Sequence, residues 1–267
     1  MTIDFDALNV EALRRVRAGL EDRELFGGFP GKTLFLAITG SHTYGFPSPD
    51  SDIDVRGRYA LPLRELIGLK KPTETYNRTF ISDGVELDIE AHDLGKYLRL
   101  LMKNGGNMLE QILSPLMVES FVGFEEFQQL SRNAMTRGVV RHYQGFLSRQ
   151  IKIVKETPDV QAKSVLYLFR VALTGIHLLR TGEMELNVRV LNEEFQIPYL
   201  PELWDSKVTN PEKAHFANLD RERVLADAQQ LDDELRASAA TSPLPEELPN
   251  FDALEEFLCR LRLEETR

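Results

Sequence analysis

The sequence has almost no cysteine and lacks an apolar run long enough to span a membrane. Its single cysteine, Cys259, excludes an internal disulfide framework and is typical of a protein from a reducing compartment. The first residues mix acidic and apolar side chains, in place of the basic segment and apolar core of a secretory signal. These features predict a cytoplasmic protein with no membrane partner.

Basic residues are also scarce relative to acidic ones. The 267-residue chain has 32 Lys and Arg against 42 Asp and Glu, which gives a formal net charge of −10. That balance argues against a generally basic surface for bare nucleic acid, although a local basic patch stays open. With 42% hydrophobic residues the chain can bury a substantial core, and its length favours two domains over one.

Glycine and serine follow the end of a short apolar run. The run 33–39 is predicted to be a buried strand, and Gly40 and Ser41 come directly after it. Gly40 allows a ligand to approach the backbone, and Ser41 can cap a short helix whose N–H groups point at phosphate. His42 and Tyr44 lie beside this predicted phosphate cradle, and we interpret His42 as a polar loop residue.

A second strand is predicted over 52–59, after a turn-rich segment. Because side chains alternate along a strand, one face carries its polar members: Asp52, Asp54, Arg56 and Arg58. Two carboxylates side by side repel each other, and a hard cation such as Mg²⁺ converts that repulsion into binding. The pattern therefore predicts a divalent-metal site with Asp52 and Asp54 as ligands.

A third acidic ligand would complete such a site, and a predicted hairpin offers candidates. The segments 73–81 and 85–91 flank the sequence Ser82-Asp83-Gly84, which is typical of a hairpin turn. The second segment has three acids on one face: Glu86, Asp88 and Glu90. We take Asp88 as the third ligand, with Glu86 and Glu90 as its rivals.

The two arginines of the second strand have two roles open to them. Arg56 and Arg58 can contact phosphate, or they can form ordinary surface ion pairs across strands with Glu86 or Glu90. The sequence does not decide between these roles. Arg56 is nevertheless included among the candidate nucleotide-binding residues.

Together these motifs resemble the polymerase β-type nucleotidyltransferase superfamily. Its signature is a hydrophobic residue, Gly-Ser, Asp-x-Asp after a short loop, and a third Asp on a later strand, which the chain matches in 38–41, 52–55 and 87–89. The longer pattern Gly-Ser-x-x-Tyr-Gly, then Pro-x-Ser-Asp-x-Asp-x-Arg-Gly, is similar to a bacterial and phage group of predicted nucleotidyltransferases, some linked to RNA repair. The resemblance covers roughly the first 115 residues, an ordinary domain size.

The rest of the chain is predicted to be mostly helical. Helix-like periodicity covers 5–20, 94–102, 108–113, 124–137, 139–155, 161–180, 221–235 and 251–263. Proline-rich connections are predicted at 197–211 and 241–249. We therefore expect an α+β fold, with a catalytic domain of a small mixed β-sheet and flanking helices over 1–118 and an α-helical domain over 119–267.

The resemblance implies transfer of a nucleoside monophosphate, with AMP from ATP favoured, to a hydroxyl acceptor such as an RNA 3′ end. Two Mg²⁺ ions would be held by Asp52, Asp54 and Asp88. The residues predicted to bind the nucleotide are Gly40, Ser41, Tyr44, Arg56, Lys163 and Arg170. Lys163 and Arg170 share one predicted helix face and would supply the cation that the resemblance implies for the triphosphate; a solvated helix face is the alternative for both.

Three alternatives to an RNA-directed enzyme stay open from the sequence. The acceptor could be a small molecule or a protein hydroxyl, which suits the acidic net charge better than RNA does. The chain could also be a non-catalytic nucleotide-binding or antitoxin-like module. The presence of all three acids favours an enzyme over that module.

Overall fold

The computed structural model describes residues 5–21, 28–82, 84–209 and 220–264. These residues form two compact units. The sheet unit comprises 6–21, 28–40, 52–82, 84–135 and 248–264, and the helical unit comprises Phe5, 41–51, 136–209 and 220–247. Each unit is therefore discontinuous in sequence. The proposed domain boundary after residue 118 stays a prediction.

The helices and strands follow one another in a mixed order. In chain order they are α1 Phe5–Glu21, β1 Lys32–Thr39, α2 Ser41–Tyr44, β2 Ile53–Ala60, α3 Leu63–Ile67, β3 Thr75–Ser82, β4 Val85–Asp93, α4 Leu94–Leu101, α5 Gly106–Ile112, β5 Met117–Ser120, α6 Phe124–Asn133, the 3₁₀ turn Arg137–Val139, α7 Val140–Glu156, α8 Ala162–Thr181, α9 Val188–Phe195, α10 Leu200–Thr209, α11 Arg221–Ala240 and α12 Phe251–Glu264. The predicted α+β class is confirmed.

The strands of the sheet unit form one five-stranded mixed sheet within the described residues. Their order is β3-β4-β2-β1-β5. β2 and β4 are parallel, whereas the pairs β1–β2, β1–β5 and β3–β4 are antiparallel. β3 forms a hairpin with β4 and pairs with the edge of β4 that faces away from β2. The other edge of β4 pairs with β2 in parallel register.

One face of this sheet is the core of the unit. Side chains of β1, β2 and β4 that alternate with the polar ones pack with α1 in one buried cluster, which includes Ala12, Val16, Leu36, Ile38, Val55 and Ile89. Each such aliphatic side chain contributes about 1.5–3 kcal/mol on burial. The strict alternation fixes the register, since a slip by one residue would put the acids of β2 and β4 into this cluster.

The helical unit is built around α8. Its side chains are buried along most of its length, and it packs against α7, α9, α10 and α11. Among the described residues, α8 is also long and apolar enough to cross a membrane by length and composition alone. Since 78% of the relevant window is buried inside the protein, α8 has the environment of a core helix.

The predicted connection at 197–211 is wrong over most of its length, because α10 spans Leu200–Thr209. Pro201 is compatible with that helix, since a proline in the first helical turn removes an N–H that has no intrahelical partner. Leu200 and Leu203 are buried and hold α10 against the unit. Residues 210 and 211 lie outside the described residues.

The strands that carry the motif lie where the sequence predicts them. β1 and β2 each differ from the predicted bounds by one residue, and the hairpin arms are β3 and β4. Gly84 has a φ of +77°, as a tight turn requires, while Asp83 of the same turn lies outside the described residues. β5, α3 and α9 were not predicted.

Candidate active site

Two of the predicted acids lie side by side on the polar face of the sheet. The parallel register of β2 and β4 pairs Asp54 with Asp88, and it continues with Arg56 opposite Glu90 and Arg58 opposite His92. Both aspartates are partly exposed to solvent. Two strands distant in sequence thus bring two carboxylates to one point of the sheet.

Arg56 connects these two carboxylates. Its Nη2 donates to Asp54 Oδ1 at 2.8 Å and to Asp88 Oδ2 at 3.1 Å. Its Nη1 donates to the backbone oxygen of Asp88 at 2.8 Å. The ion pairs of Arg56 are therefore with Asp54 and Asp88, so the predicted surface pairing with Glu86 or Glu90 is wrong for this residue.

Asp88 Oδ1 and Asp54 Oδ2, the oxygens that Arg56 does not contact, lie next to Thr79 and Gly40. Thr79 on β3 donates its hydroxyl to Asp88 Oδ1 at 2.8 Å. Asp54 Oδ2 lies against Gly40, where a Cβ atom would be only 2.1 Å away. Gly40 also has a φ of +70°, so both its backbone conformation and its neighbour require glycine. We call Asp54, Arg56 and Asp88 the carboxylate end of the polar face.

The carboxylate end brings together two of the three acidic ligands that were predicted for a divalent cation. Asp54 and Asp88 converge on one cationic nitrogen of Arg56, and carboxylate oxygens are the ligands that Mg²⁺ prefers. Asp52, the other predicted ligand, is exposed and immediately precedes β2. Among the described residues no group of three or more His, Cys, Asp or Glu side chains is arranged to hold a metal ion. The structure thus supports a pair of carboxylates as the centre of the site.

The opposite end of the polar face is buried. Arg58 is 1% exposed, donates to the side chain of Gln111 and lies 4.2 Å from the ring centroid of Tyr97. Burial lowers the pKa of Arg58 to about 10. Arg58 is therefore a core residue with neutral and aromatic partners, and its predicted surface ion pair is wrong.

His92 shares this buried end with Arg58. Burial, followed by the charges of Arg58 and Lys96, lowers the pKa of His92 to about 4. Its Nε2 lies 3.6 Å from Glu90 Oε1. We call Arg58, His92 and Gln111 the arginine–histidine end. Alternation predicted the face of Arg58, whereas its depth depends on Gln111, a residue of α5 that no strand pattern indicates.

The helical unit contains the other predicted nucleotide-binding residues. Tyr44 and Arg170 are brought together, with the guanidinium carbon 4.0 Å from the centre of the Tyr44 ring. Both residues are buried, as is Ser41 at the start of α2. Lys163 lies on α8 with Arg170 and is partly exposed. The predicted position of Lys163 and Arg170 on one helix is confirmed, and their predicted contact with nucleotide stays a prediction.

Comparison with known proteins identifies the family to which this chain belongs. Residues 12–260 match the model of RlaP, the RNA repair pathway DNA polymerase beta family. The chain belongs to this family. The resemblance inferred from the motifs is thus confirmed, and the match of the RlaP model extends well past the first 115 residues into the helical part.

This chain is also similar to individual proteins. It is 30% identical over 156 residues to the uncharacterized protein MJ0002 of Methanocaldococcus jannaschii, covering 57% of this chain and 62% of that protein. It is 30% identical over 143 residues to the uncharacterized protein YcgL of Bacillus subtilis, covering 52% and 53%. The chain therefore spans less than two thirds of the length of either relative.

A solved structure was also matched to this chain. It is the crystal structure of a nucleotidyltransferase-like protein from Exiguobacterium sibiricum, which covers 85% of this chain and 77% of its own at 10% identity, with a TM-score of 0.33.

A buried lysine that the sequence did not single out lies in the helical unit. Lys207 on α10 is 2% exposed, and its Nζ donates to Ser48 Oγ at 2.6 Å. Ser51 Oγ lies 3.4 Å from the same nitrogen and 3.0 Å from Ser48 Oγ. This contact fixes the end of segment 41–51, directly before Asp52. It was missed because Lys207 falls in the range predicted as a connection.

Proposed function

We propose that this protein transfers a nucleoside monophosphate from a nucleoside triphosphate to a hydroxyl acceptor and releases pyrophosphate. The observation that carries the proposal is the pairing of Asp54 with Asp88 on one sheet face, where both carboxylates converge on a single cationic nitrogen. Membership in a DNA polymerase beta family supports the same chemistry. ATP is the proposed donor.

In this proposal Asp54 and Asp88 hold divalent magnesium, with Asp52 as a further ligand from the residue before β2. A bound divalent cation neutralises charge on the triphosphate and favours in-line displacement at the α-phosphorus. The contact of Thr79 with Asp88 Oδ1 and the backing of Asp54 by Gly40 keep both carboxylates in place before substrate arrives. This preorganisation is the main contribution of the sheet unit.

The proposed reaction makes one bond and breaks one. The acceptor oxygen bonds to the α-phosphorus, the bond from that phosphorus to the pyrophosphate oxygen breaks, and the hydroxyl proton passes to solvent water. Asp88 would orient the acceptor hydroxyl and favour loss of this proton. No covalent intermediate with the protein is required, so positioning and electrostatic stabilisation supply the rate.

Residues other than the carboxylates are also proposed to bind the nucleotide. Gly40 and Ser41 would donate to phosphate oxygens through the backbone and the hydroxyl group. Lys163 would provide positive charge for the triphosphate. Arg170 stacks on Tyr44 within the helical unit, which supports a joint role in which Tyr44 orients the guanidinium.

The acceptor that we propose is an RNA 3′ end, in keeping with the description of the family as part of an RNA repair pathway. A small-molecule or protein acceptor would use identical chemistry and suits the net charge of −10. A non-catalytic nucleotide-binding module is the alternative from another class. We propose a cytoplasmic location, where RNA and nucleoside triphosphates are both present.

The test is incubation of the protein with each α-labelled nucleoside triphosphate, Mg²⁺ and candidate acceptors of RNA, small-molecule and protein type. We expect label on RNA and pyrophosphate release from the wild type, and neither from Asp54→Asn. Circular dichroism should show that this variant is folded, because Asp54 is partly exposed. Label on protein would identify an AMP-transfer enzyme.

Nucleotide binding without any transfer, measured as protection against heating, would support the non-catalytic module instead. Equal pyrophosphate release by Asp54→Asn and wild type would overturn the assignment of the carboxylate end. Each of these outcomes uses the full chain and needs no knowledge of the physiological acceptor.

A further inference from the structure

Arg56 makes three hydrogen bonds to Asp54 and Asp88, the two proposed metal ligands. Its guanidinium donates to Asp54 Oδ1 at 2.8 Å, to Asp88 Oδ2 at 3.1 Å and to the backbone oxygen of Asp88 at 2.8 Å. The side chain is 18% exposed, so these contacts form in a partly desolvated setting. Charge-assisted hydrogen bonds are stronger there than at an open surface.

The choice of partners is not set by the sheet register alone. Glu90 lies directly opposite Arg56 in the β2–β4 pairing, yet the arginine reaches diagonally to Asp88 and back along its own strand to Asp54. The carboxylate of Glu90 lies near His92 instead. The guanidinium is thus directed at the two aspartates together.

Arg56 Nη2 contacts one carboxylate oxygen of each aspartate, Asp54 Oδ1 and Asp88 Oδ2. Asp88 Oδ1 is already engaged by Thr79, and Asp54 Oδ2 lies against Gly40. This leaves Asp54 Oδ1 and Asp88 Oδ2 as the pair that can bind one cation jointly, and Nη2 of Arg56 holds both. A divalent ion that bridges the two aspartates through these atoms must replace that nitrogen.

We propose that Arg56 is a built-in counter-ion that competes with the divalent cation for the Asp54–Asp88 pair. This inference rests on the proposed function, since it concerns the same carboxylates. Arg56 neutralises the repulsion between them and thereby stabilises the sheet, at the cost of weaker metal binding. A guanidinium displaced by the metal is then available for a phosphate oxygen, which is the role that the sequence predicts for Arg56.

The test measures metal binding and stability rather than turnover. Mn²⁺ is titrated into the full chain by calorimetry, with wild type compared with Arg56→Gln and Arg56→Lys. We expect Arg56→Gln to bind Mn²⁺ about tenfold more tightly, because a positive charge next to the ligands is removed. Arg56→Lys keeps the charge and should stay within about threefold of wild type.

Thermal unfolding provides the second readout. In EDTA, Arg56→Gln should melt about 3 °C below wild type, since the aspartates repel each other without the guanidinium. Mn²⁺ should then raise its melting temperature by more than it raises that of wild type. These opposite changes, lower stability and higher metal affinity, distinguish competition from a merely structural arginine.

Arg78→Gln is the matched control. Arg78 lies on β3 opposite Ile89, so it projects from the other face of the same sheet, and its replacement causes the same change in charge. Its Mn²⁺ affinity should match that of wild type. Unchanged or weaker Mn²⁺ binding by Arg56→Gln would overturn the inference, as would equal tightening in Arg78→Gln.

Failure of this inference can be told apart from failure of the proposed function. A wild type that transfers nucleotide in Mg²⁺ while Arg56→Gln shows no gain in Mn²⁺ affinity retains the function and loses only the role of Arg56. If neither protein binds Mn²⁺, the competition is overturned, and the labelled-nucleotide assay decides the function separately.

Discussion

Arg56 and Arg58 project from the same face of β2, yet Arg56 binds two carboxylates near solvent and Arg58 lies buried among neutral and aromatic groups. At the carboxylate end of the polar face, ion pairs join the side chains, which are partly exposed to solvent. The arginine–histidine end is held by packing, by Gln111 and by the ring of Tyr97. One strand therefore carries an arginine bound to carboxylates and an arginine buried in the core, two positions apart.

The difference shows what decides the role of a charged residue on a sheet. Alternation assigns Arg56 and Arg58 to one face, but the partners across the sheet and above it determine whether the charge is used for binding or for packing. A guanidinium tolerates burial because it stays charged and stacks on aromatic rings. Substitutions at either end of the polar face test this difference.

The largest expected effect is at the carboxylate end. Asp88→Asn should lower the rate of nucleotide transfer by about 10³-fold, because it removes a charged oxygen at the proposed metal site. Glu86→Gln is the matched control, since Glu86 lies on the same strand and is exposed. The measurement is pyrophosphate release at saturating nucleotide. A larger loss in Glu86→Gln would falsify the choice of Asp88 as the third acid.

The next effect concerns stability at the arginine–histidine end. Arg58→Ala should lower the free energy of unfolding by about 3 kcal/mol, since it leaves a cavity and an unpaired Gln111 side chain. Arg56→Ala should cost about 1 kcal/mol, because its partners remain accessible to water. Urea unfolding followed by circular dichroism measures both. Equal losses would mean that the two ends do not differ in the way the contacts indicate.

Gly40→Ala should act on the carboxylate end with a moderate effect. A Cβ atom would overlap Asp54 Oδ2, so the carboxylate has to rotate away, and we expect about a tenfold loss of transfer. Gly84→Ala is the control, because its φ of +77° imposes similar strain while nothing lies within 4 Å of the added atom. Both variants should lose about 1 kcal/mol of stability. The assignment fails if Gly84→Ala loses as much transfer as Gly40→Ala.

The smallest expected effect is a pH dependence from the arginine–histidine end. Burial and the charges of Arg58 and Lys96 hold the pKa of His92 at about 4, whereas the unfolded chain has the ordinary value of about 6.5. The unfolded chain therefore binds an extra proton between these values, and stability falls as pH drops from about 6.5 towards about 4. Above that window the contribution of His92 is fully present.

His92→Gln should remove this part of the acid sensitivity. Between pH 7 and pH 4.5 the variant should lose about 1 kcal/mol less stability than wild type, measured by urea unfolding at each pH. Glu90 Oε1 lies 3.6 Å from His92 Nε2, so Glu90→Gln is measured alongside as a control. Parallel curves for wild type and His92→Gln would refute a buried neutral histidine.

The sequence predicts the carboxylate end better than the arginine–histidine end for a physical reason. Asp54 and Asp88 belong to strands with clear periodicity, and Gly40 directly follows one, so local pattern and a known family signature determine their place. The burial of Arg58 depends on Gln111 and Tyr97 from helices far along the chain, and alternation within a strand has no information about them. How deeply a side chain is buried depends on tertiary contacts, which a pattern within one strand does not contain.

The elements that were missed are short or contain proline. β5 has four residues, Met117–Ser120, and exists only because it pairs with β1. α10 contains Pro201, and the predicted connection there concealed Lys207 and its contact with Ser48. Short strands and proline at a helix start give weak local signals, since their stability comes from partners distant in sequence.

The parallel pairing of β2 with β4 has a consequence for how the molecule acquires its acid pair during folding. Asp54 and Asp88 come from strands separated by a helix and a hairpin arm, so their meeting requires closure of a long chain segment. A partly synthesised chain that ends before β4 has Asp54 but lacks Asp88. The pair of Asp54 and Asp88 therefore forms only when β4 joins β2 in the sheet, so it depends on correct assembly of two strands distant in sequence.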